Sequence, residues 1–253
     1  MAGEDSTSST TAVADKTPTA GQDAVPARRA RGPRASMRLA RRLLGILAAY
    51  WALCVVLLGA YRFVAPPVTG VQLQRRVEAR VARRPYRLQK TFVPYARIPD
   101  AVTHAVVAAE DGRFWKHWGY DFEEMRDAGS DVLQGDALRG ASTITQQLVK
   151  NLFGCVCRNP VRKVYDLALA FPAEILLGKE RILELYLNNV EWGDGVFGIE
   201  EAAQQRYGVH ARDLSRTQAA GLAALLPNPL RRTPQNTLEY RAEILRRMVR
   251  RGW

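Results

Sequence analysis

The apolar positions fall into one long run and a series of helical stripes. Leu43 to Tyr61 is a stretch of 19 residues without a charge. At helical rise it measures about 28 Å, close to the thickness of a bilayer's hydrocarbon core. That length predicts one membrane-spanning helix. It is long for the apolar part of a cleavable leader, and no clear small-x-small cleavage site follows, so a retained anchor is expected. Further along, Val102, Ala105, Val106 and Ala109 recur at helical spacing behind a candidate N-cap at Asp100. Ile144, Leu148 and Leu152 form the buried stripe of a second helix, entered at Gly140, capped by Ser142 and closed by Gly154. Asn159 and Pro160 suit the cap and first position of a third, which carries Leu169, Ala170, Ala173, Leu176 and Leu177, with Pro172 bending it. Ile182, Leu183, Tyr186 and Leu187 pack a fourth; Asn189 to Gly195 reads as a turn and Gly198 to Tyr207 as a small helix. Ser215 and Gln218 form a capping box before an Ala/Leu-rich helix to Leu226, and Thr237 to Arg250 reads as a last helix. Strand signal is slight. The fold class expected is mainly α, with an N-terminal single transmembrane helix.

Charge orients this layout. The chain has 253 residues and a net charge of +12. Residues 1–36 are rich in Ser, Thr, Ala and Pro with almost no large apolar side chains, a composition that cannot bury a core and predicts disorder. Seven arginines between Arg28 and Arg42 precede the apolar run, and Arg62 is the one charge immediately after it. The positive-inside rule then places the tail in the cytoplasm and the bulk of the chain outside. An outward-facing domain argues against nucleic acid as the partner of the basic charge; anionic lipid headgroups fit better. The expected organisation is a disordered basic cytoplasmic tail (1–42), an anchor (43–64), a juxtamembrane connector (65–99) and an outward-facing main domain (100–253). Within the connector, Gln72 to Arg84 reads as a short basic helix near the membrane, stopped by Pro85. Arg126 to Arg139 has little apolar periodicity and reads as a flap over a cleft. Cys155 and Cys157 sit too close for an easy disulfide and are too few for a zinc site, so no role is expected of them.

Two phrases carry the chemistry. Glu110 falls eight residues after Val102, on or beside the apolar face of its helix. A carboxylate taken partly out of water has its pKa raised, which suits a general acid or base near neutral pH. It opens Glu110-Asp111-Gly112-Arg113-Phe114-Trp115-Lys116-His117-Trp118-Gly119. The second phrase, Gly140-Ala141-Ser142-Thr143-Ile144-Thr145-Gln146-Gln147, puts Thr143, Gln146, Gln147 and Lys150 on a polar helix face ending in a cation.

Together these phrases resemble the first two motifs of the family 51 peptidoglycan glycosyltransferases, and the resemblance runs from about Val93 to Met248. Arg162-Lys163-x-x-Asp166 is similar to the family's third motif. Lys179 to Asn188 resembles the fourth, with Glu184 as a scaffold residue paired to a cation. Arg241, Ile244, Leu245 and Met248 resemble the last. The stretch Leu226 to Pro234 resembles the monofunctional branch found in Gram-negative bacteria, and nothing like a penicillin-binding Ser-x-x-Lys motif appears.

The resemblance implies a lysozyme-like domain of two lobes around a cleft. The implied activity is polymerisation of lipid II into β-1,4 glycan strands, with undecaprenyl pyrophosphate released for cell wall synthesis. Glu110 and Asp166 are then the catalytic carboxylates. Phe114, Ser142, Gln146 and Gln147 line the donor side, and Lys150, Arg158 and Arg162 meet the leaving pyrophosphate. A divalent cation, Mg²⁺ or Mn²⁺, is expected with Asp166 as a ligand. Partners implied are lipid II, the nascent glycan strand, membrane lipids and other cell-wall synthesis or division proteins. The implied location is the bacterial inner membrane, crossed once, with a periplasmic catalytic domain.

The chain departs from the third motif at Asp166, where glutamate is expected, which draws the carboxylate back by one methylene. Tyr165 stands where some relatives carry lysine. Misplacing a catalytic group by on the order of 1 Å can cost about a hundredfold in rate, so a catalytically weak membrane scaffold is the alternative reading. A glycan-cutting hydrolase also fits a two-carboxylate cleft, although no lytic motif is visible.

Overall fold

A computed structural model describes residues 33–133, 142–157 and 159–253. The chain divides into two units, Met1–Leu44 and Gly45–Trp253. Of the first, only the start of α1 (Pro33–Tyr61) is described. Helix therefore begins within the basic stretch, ten residues before the apolar run. The expected disordered tail lies outside the described residues as far as residue 32.

The second unit is mainly helical. It holds α2 (Gly70–Val81), α3 (Asp100–Glu110), α4 (Phe122–Leu133), α5 (Ile144–Phe153), α6 (Pro160–Leu177), α7 (Lys179–Asn189), α8 (Ile199–Tyr207), α9 (Arg216–Ala223) and α10 (Leu238–Arg250). Two packing groups can be distinguished. α3 packs on α9 and α10, and α5 packs on α6, α7 and α2. Their apolar faces share one core, in which Trp192, Tyr186 and Phe114 are the largest fully buried side chains. Val102, Ala105 and Val106 turn into it as their spacing predicts.

Several boundaries move, each for a local reason. Pro99, not Asp100, occupies the N-cap of α3; its carbonyl accepts the Val102 N–H, and Asp100 joins the first turn, where its charge suits the helix dipole. α2 starts at Gly70 because Thr69 and Gln72 close a capping box. Arg126 to Leu133, read as flap, continues α4, whose first turn carries Glu123 and Glu124; the rest of that stretch lies outside the described residues. The turn after α7 is a small antiparallel hairpin, β1 (Glu191–Gly193) with β2 (Val196–Phe197), closed at Gly195 with φ +72°. α9 ends at Ala223, and the chain continues to Leu226 in tighter turns. Cys155 and Cys157, expected to stay apart, are joined by a disulfide.

Candidate active site

Glu110 is the last residue of α3, where the buried face of the helix runs out. Its Oε2 accepts a hydrogen bond of 2.7 Å from Gln147 Nε2 on α5. The orientation of that amide follows from its other end, since Gln147 Oε1 accepts the Tyr186 hydroxyl at 3.0 Å. Glu110 Oε1 is buried and has no hydrogen-bond partner among the described residues. Burial pushes the Glu110 carboxyl above its ordinary range, while Gln147, Lys150 and Arg232 pull it back. One oxygen is thus held and the other is desolvated and uncommitted, the state of a group ready to accept a proton.

The loop after Glu110 is fastened to the start of α5. Asp111 accepts the Ile144 N–H at 2.9 Å and contacts His117 Nε2 at 2.9 and 3.1 Å. Thr143 and Gln146 both donate to the Gly119 carbonyl, at 2.9 and 3.0 Å. Gly119, at φ +80°, lies against α6: a Cβ there would come within 3.1 Å of the Ala170 backbone. Arg113 clasps Asp121 at 2.6 and 3.0 Å.

The structure buries two of the expected site residues and moves the helix cap expected at a third. Phe114 is fully buried, with Lys179 Nζ 4.3 Å from its ring centroid, so it supports the loop and lines no cleft. Gln146 is 2% exposed and serves as a strap. Ser142 does not cap α5; Thr143 does, because the Ser142 hydroxyl is taken by Lys163 Nζ at 2.7 Å. Lys163, which also reaches Gln146 Oε1 at 2.8 Å, was not singled out from the sequence. Its signal was present in the Arg162-Lys163 pair, but its partners lie 17 and 21 residues away.

Around Asp166 the expected cations assemble. Asp166 is buried and paired with Arg162, whose Nε also bonds the Cys157 carbonyl at 2.8 Å. Burial raises the Asp166 pKa, opposed by Arg162, Lys150 and Lys163. Burial lowers that of Lys150; Arg162 and Lys163 push the same way, and Asp166 and Glu110 oppose. Lys150 therefore feels both carboxylates. Three cations around one carboxylate make a net positive cluster suited to an anion. Arg158 lies outside the described residues. Glu174 belongs elsewhere: Thr145 donates to it at 2.6 Å and Lys179 at 2.8 Å. Glu184 pairs with Arg181 and accepts the Tyr95 N–H at 2.6 Å, the scaffold role its motif implied.

A cavity of about 880 Å³ opens at Glu110, lined also by Asp111, Ser142, Tyr240 and five arginines, Arg113, Arg232, Arg247, Arg250 and Arg251. Lys150 and Asp166 are not in its wall. Among the described residues, Asp111, His117 and Asp121 are a cluster with metal-ligating atoms within 4.8 Å of one another. Their hydrogen bonds to one another, Ile144 and Arg113 already occupy them.

A family model described as Transglycosylase matches residues 77–250. A curated protein named biosynthetic peptidoglycan transglycosylase from Ectopseudomonas mendocina (strain ymp) is 44% identical over 195 residues, 76% of this chain and 80% of that protein. Proteins of the same name from Pseudomonas fluorescens (strain Pf0-1) and Pseudomonas putida (strain W619) are 46% and 40% identical. These matches cover 69% and 85% of this chain, and 73% and 89% of the relatives.

Proposed function

The chain belongs to the transglycosylase family and is a peptidoglycan glycosyltransferase, and we propose that Glu110 is the base of an inverting transfer on lipid II. Glu110 takes the proton of the acceptor GlcNAc 4-hydroxyl. The oxygen attacks C1 of the MurNAc at the reducing end of the growing strand. The bond from C1 to the pyrophosphate oxygen breaks, a β-1,4 linkage forms, and undecaprenyl pyrophosphate leaves with the electron pair. Lys150, Arg162 and Lys163 face the charge that develops there, with Arg158 a further candidate from the sequence. Asp166 holds Arg162 in place, and its contact with that guanidinium supports a working role despite the shorter side chain. Ser142 and Gln147 position Lys163 and Glu110.

Asp166 already faces Arg162, Lys150 and Lys163, so a divalent cation would be held there only together with substrate pyrophosphate oxygens. A single protein carboxylate with substrate pyrophosphate oxygens is a common way of holding Mg²⁺. Held there, it would add to the neutralisation of the leaving group.

α1 contains one helix long and apolar enough to cross a membrane, Met37–Tyr61. With the arginines before it, this supports a single-pass inner-membrane protein with a cytoplasmic N-terminus and a periplasmic domain from about residue 100, joined by the 65–99 connector. Lipid II, the nascent strand and bilayer lipids are its partners in this reading, with cell-wall synthesis and division proteins as further candidates.

The observation that carries the mechanism is the buried, unpaired oxygen of Glu110 at the mouth of a cavity. The test is polymerisation of labelled lipid II by full-length protein with Mg²⁺, read as strands on a gel. Strands that vanish in Glu110→Gln and persist or increase in Asp166→Glu are expected. Strands formed only by Asp166→Glu would mean that the aspartate disables the site, and the scaffold reading would take over. Release of fragments from finished sacculi would point to hydrolysis.

A further inference from the structure

The transfer leaves unused a second group of cations, in the wall of the Glu110 cavity. Arg232, Arg247, Arg250 and Arg251 reach it from α10 and the segments flanking that helix. Their compensation is uneven. Glu243 alone serves Arg246, Arg247 and Arg250. Arg232 and Arg251 form no ion pair with any described residue. Two cavity acids are engaged elsewhere, Asp111 by His117 and Asp121 by Arg113. Glu124 and Asp127 of α4 line the same space.

These arginines are held in fixed relation to Glu110. The Tyr240 hydroxyl donates to the carbonyl of Ala109, one residue before it, at 2.9 Å. Arg232 and Arg247 lie over the Tyr240 ring, at 5.0 and 6.0 Å from its centroid. Arg232 also bonds the Ala224 carbonyl at 2.8 Å, and Arg247 the Ala108 carbonyl at 3.3 Å. Arg251 lies over Trp253 and against Gly112, where a Cβ would come within 2.4 Å of its Nη2. The missing side chain at Gly112 is what lets this guanidinium approach the turn after Glu110. Burial and the neighbouring charges of Arg247 and Arg250 disfavour the Arg251 cation, a penalty that a bound anion would relieve.

We propose that Arg232, Arg247 and Arg251 form a binding site for an anionic group of the acceptor lipid II, fixing that molecule so that its 4-hydroxyl meets Glu110. This rests on the polymerase reading above. The anionic group is a carboxylate of the peptide branch or the pyrophosphate of the acceptor, both of which arginine can hold through paired hydrogen bonds.

The experiment measures equilibrium binding of fluorescent lipid II to full-length Glu110→Gln protein in detergent, which binds without turnover. The same is done with undecaprenyl-pyrophosphoryl disaccharide lacking the peptide. Adding Arg232→Gln and Arg251→Gln should weaken lipid II binding about tenfold or more, the loss of at least one charge-assisted contact. In the active background, at a pH above the inflection set by Glu110, the same pair should raise KM and change kcat little. A loss seen with both ligands identifies the pyrophosphate, and a loss seen only with the peptide-bearing one identifies the carboxylates. Gly112→Ala, which displaces the Arg251 guanidinium and keeps its charge, should give a smaller loss in the same direction, so the site stays testable if the double variant folds poorly. Affinities within twofold of the parent for both ligands, in variants that melt like the parent, would overturn the site. Strand synthesis by wild type with unchanged affinity in the variants refutes the site alone. Affinity lost in the variants without any strand synthesis by wild type refutes the polymerase reading, and with it the acceptor role, and leaves only an anion-binding site for lipid II.

Discussion

Glu110 combines a structural cost with a chemical use. Burial raises its pKa, so its proton is bound more tightly in the folded chain than in the unfolded one. A raised carboxyl pKa favours the fold below the unfolded value and loses that contribution as pH rises through the folded value. Glu110→Gln should therefore gain stability relative to wild type at neutral pH and little in acid; melting curves at pH 4 and pH 8 test this, and a difference that fails to grow with pH contradicts it. Activity should follow the opposite course. Polymerisation by wild type should climb with pH to an inflection above the ordinary glutamate range, and Glu110→Gln should lower the rate by about 10²- to 10⁴-fold. Lys150 favours the charged form of Glu110, so Lys150→Met should move that inflection upward. The face that buries Glu110 was legible from Val102, Ala105 and Val106. The burial of Phe114 and Gln146 was not, because a side chain's exposure depends on distant partners, here Lys179 and the Gly119 carbonyl.

At the scale of elements, the helices were legible because each carries its own apolar stripe, while their caps depend on competition for hydroxyls. Ser142 and Thr143 are equally plausible caps in sequence; Lys163 takes the first and leaves the second. The β1–β2 hairpin was missed because five residues give too short a window for alternation to show. α5, α6 and α7 are tied together by a buried polar link, in which Thr145 of α5 and Lys179 of α7 both bond Glu174 of α6. Glu174 is 4% exposed, so removing it strands the half-buried Lys179 ammonium and the buried Thr145 hydroxyl. Glu174→Ala should destabilise the domain by about 3 kcal/mol, and Glu174→Gln by less, since Gln retains an acceptor. Thermal melts of the two variants in one detergent check the order, and equal losses would show that charge compensation is not what the link provides.

For the whole molecule, α1 is part of the packed fold. From Tyr50 onward α1 packs on the catalytic domain: the Tyr50 hydroxyl donates to the Phe153 carbonyl at 2.8 Å and Trp51 Nε1 to the Ala168 carbonyl at 3.2 Å. Arg62 reaches the Leu176 carbonyl at 2.9 Å, while Arg181 of α7 returns to the Tyr61 and Val64 carbonyls, both at 2.8 Å. Cys54 and Leu58 are buried in that contact, and Leu44, Ile46, Leu53 and Val56 are exposed. A sequence window sees only a uniformly apolar run and cannot tell which side meets protein and which stays exposed. The contact falls on α5, α6 and α7, and the first two carry Lys150, Arg162, Lys163 and Asp166, so α1 is expected to steady the cation cluster. Deleting residues 1–64 should then do more than release the protein into solution. Uncovering a buried leucine and its neighbours costs several kcal/mol at about 1.5–3 kcal/mol per large apolar side chain, which in a domain of this size lowers the melting temperature by roughly 5–10 °C. With full-length and truncated protein in the same micelles, where both meet lipid II at one concentration, the truncated form should also make strands more slowly. Equal melting temperatures and equal rates there would reduce the anchor to a tether, and the packing of α1 on α5 and α6 would carry no weight in catalysis.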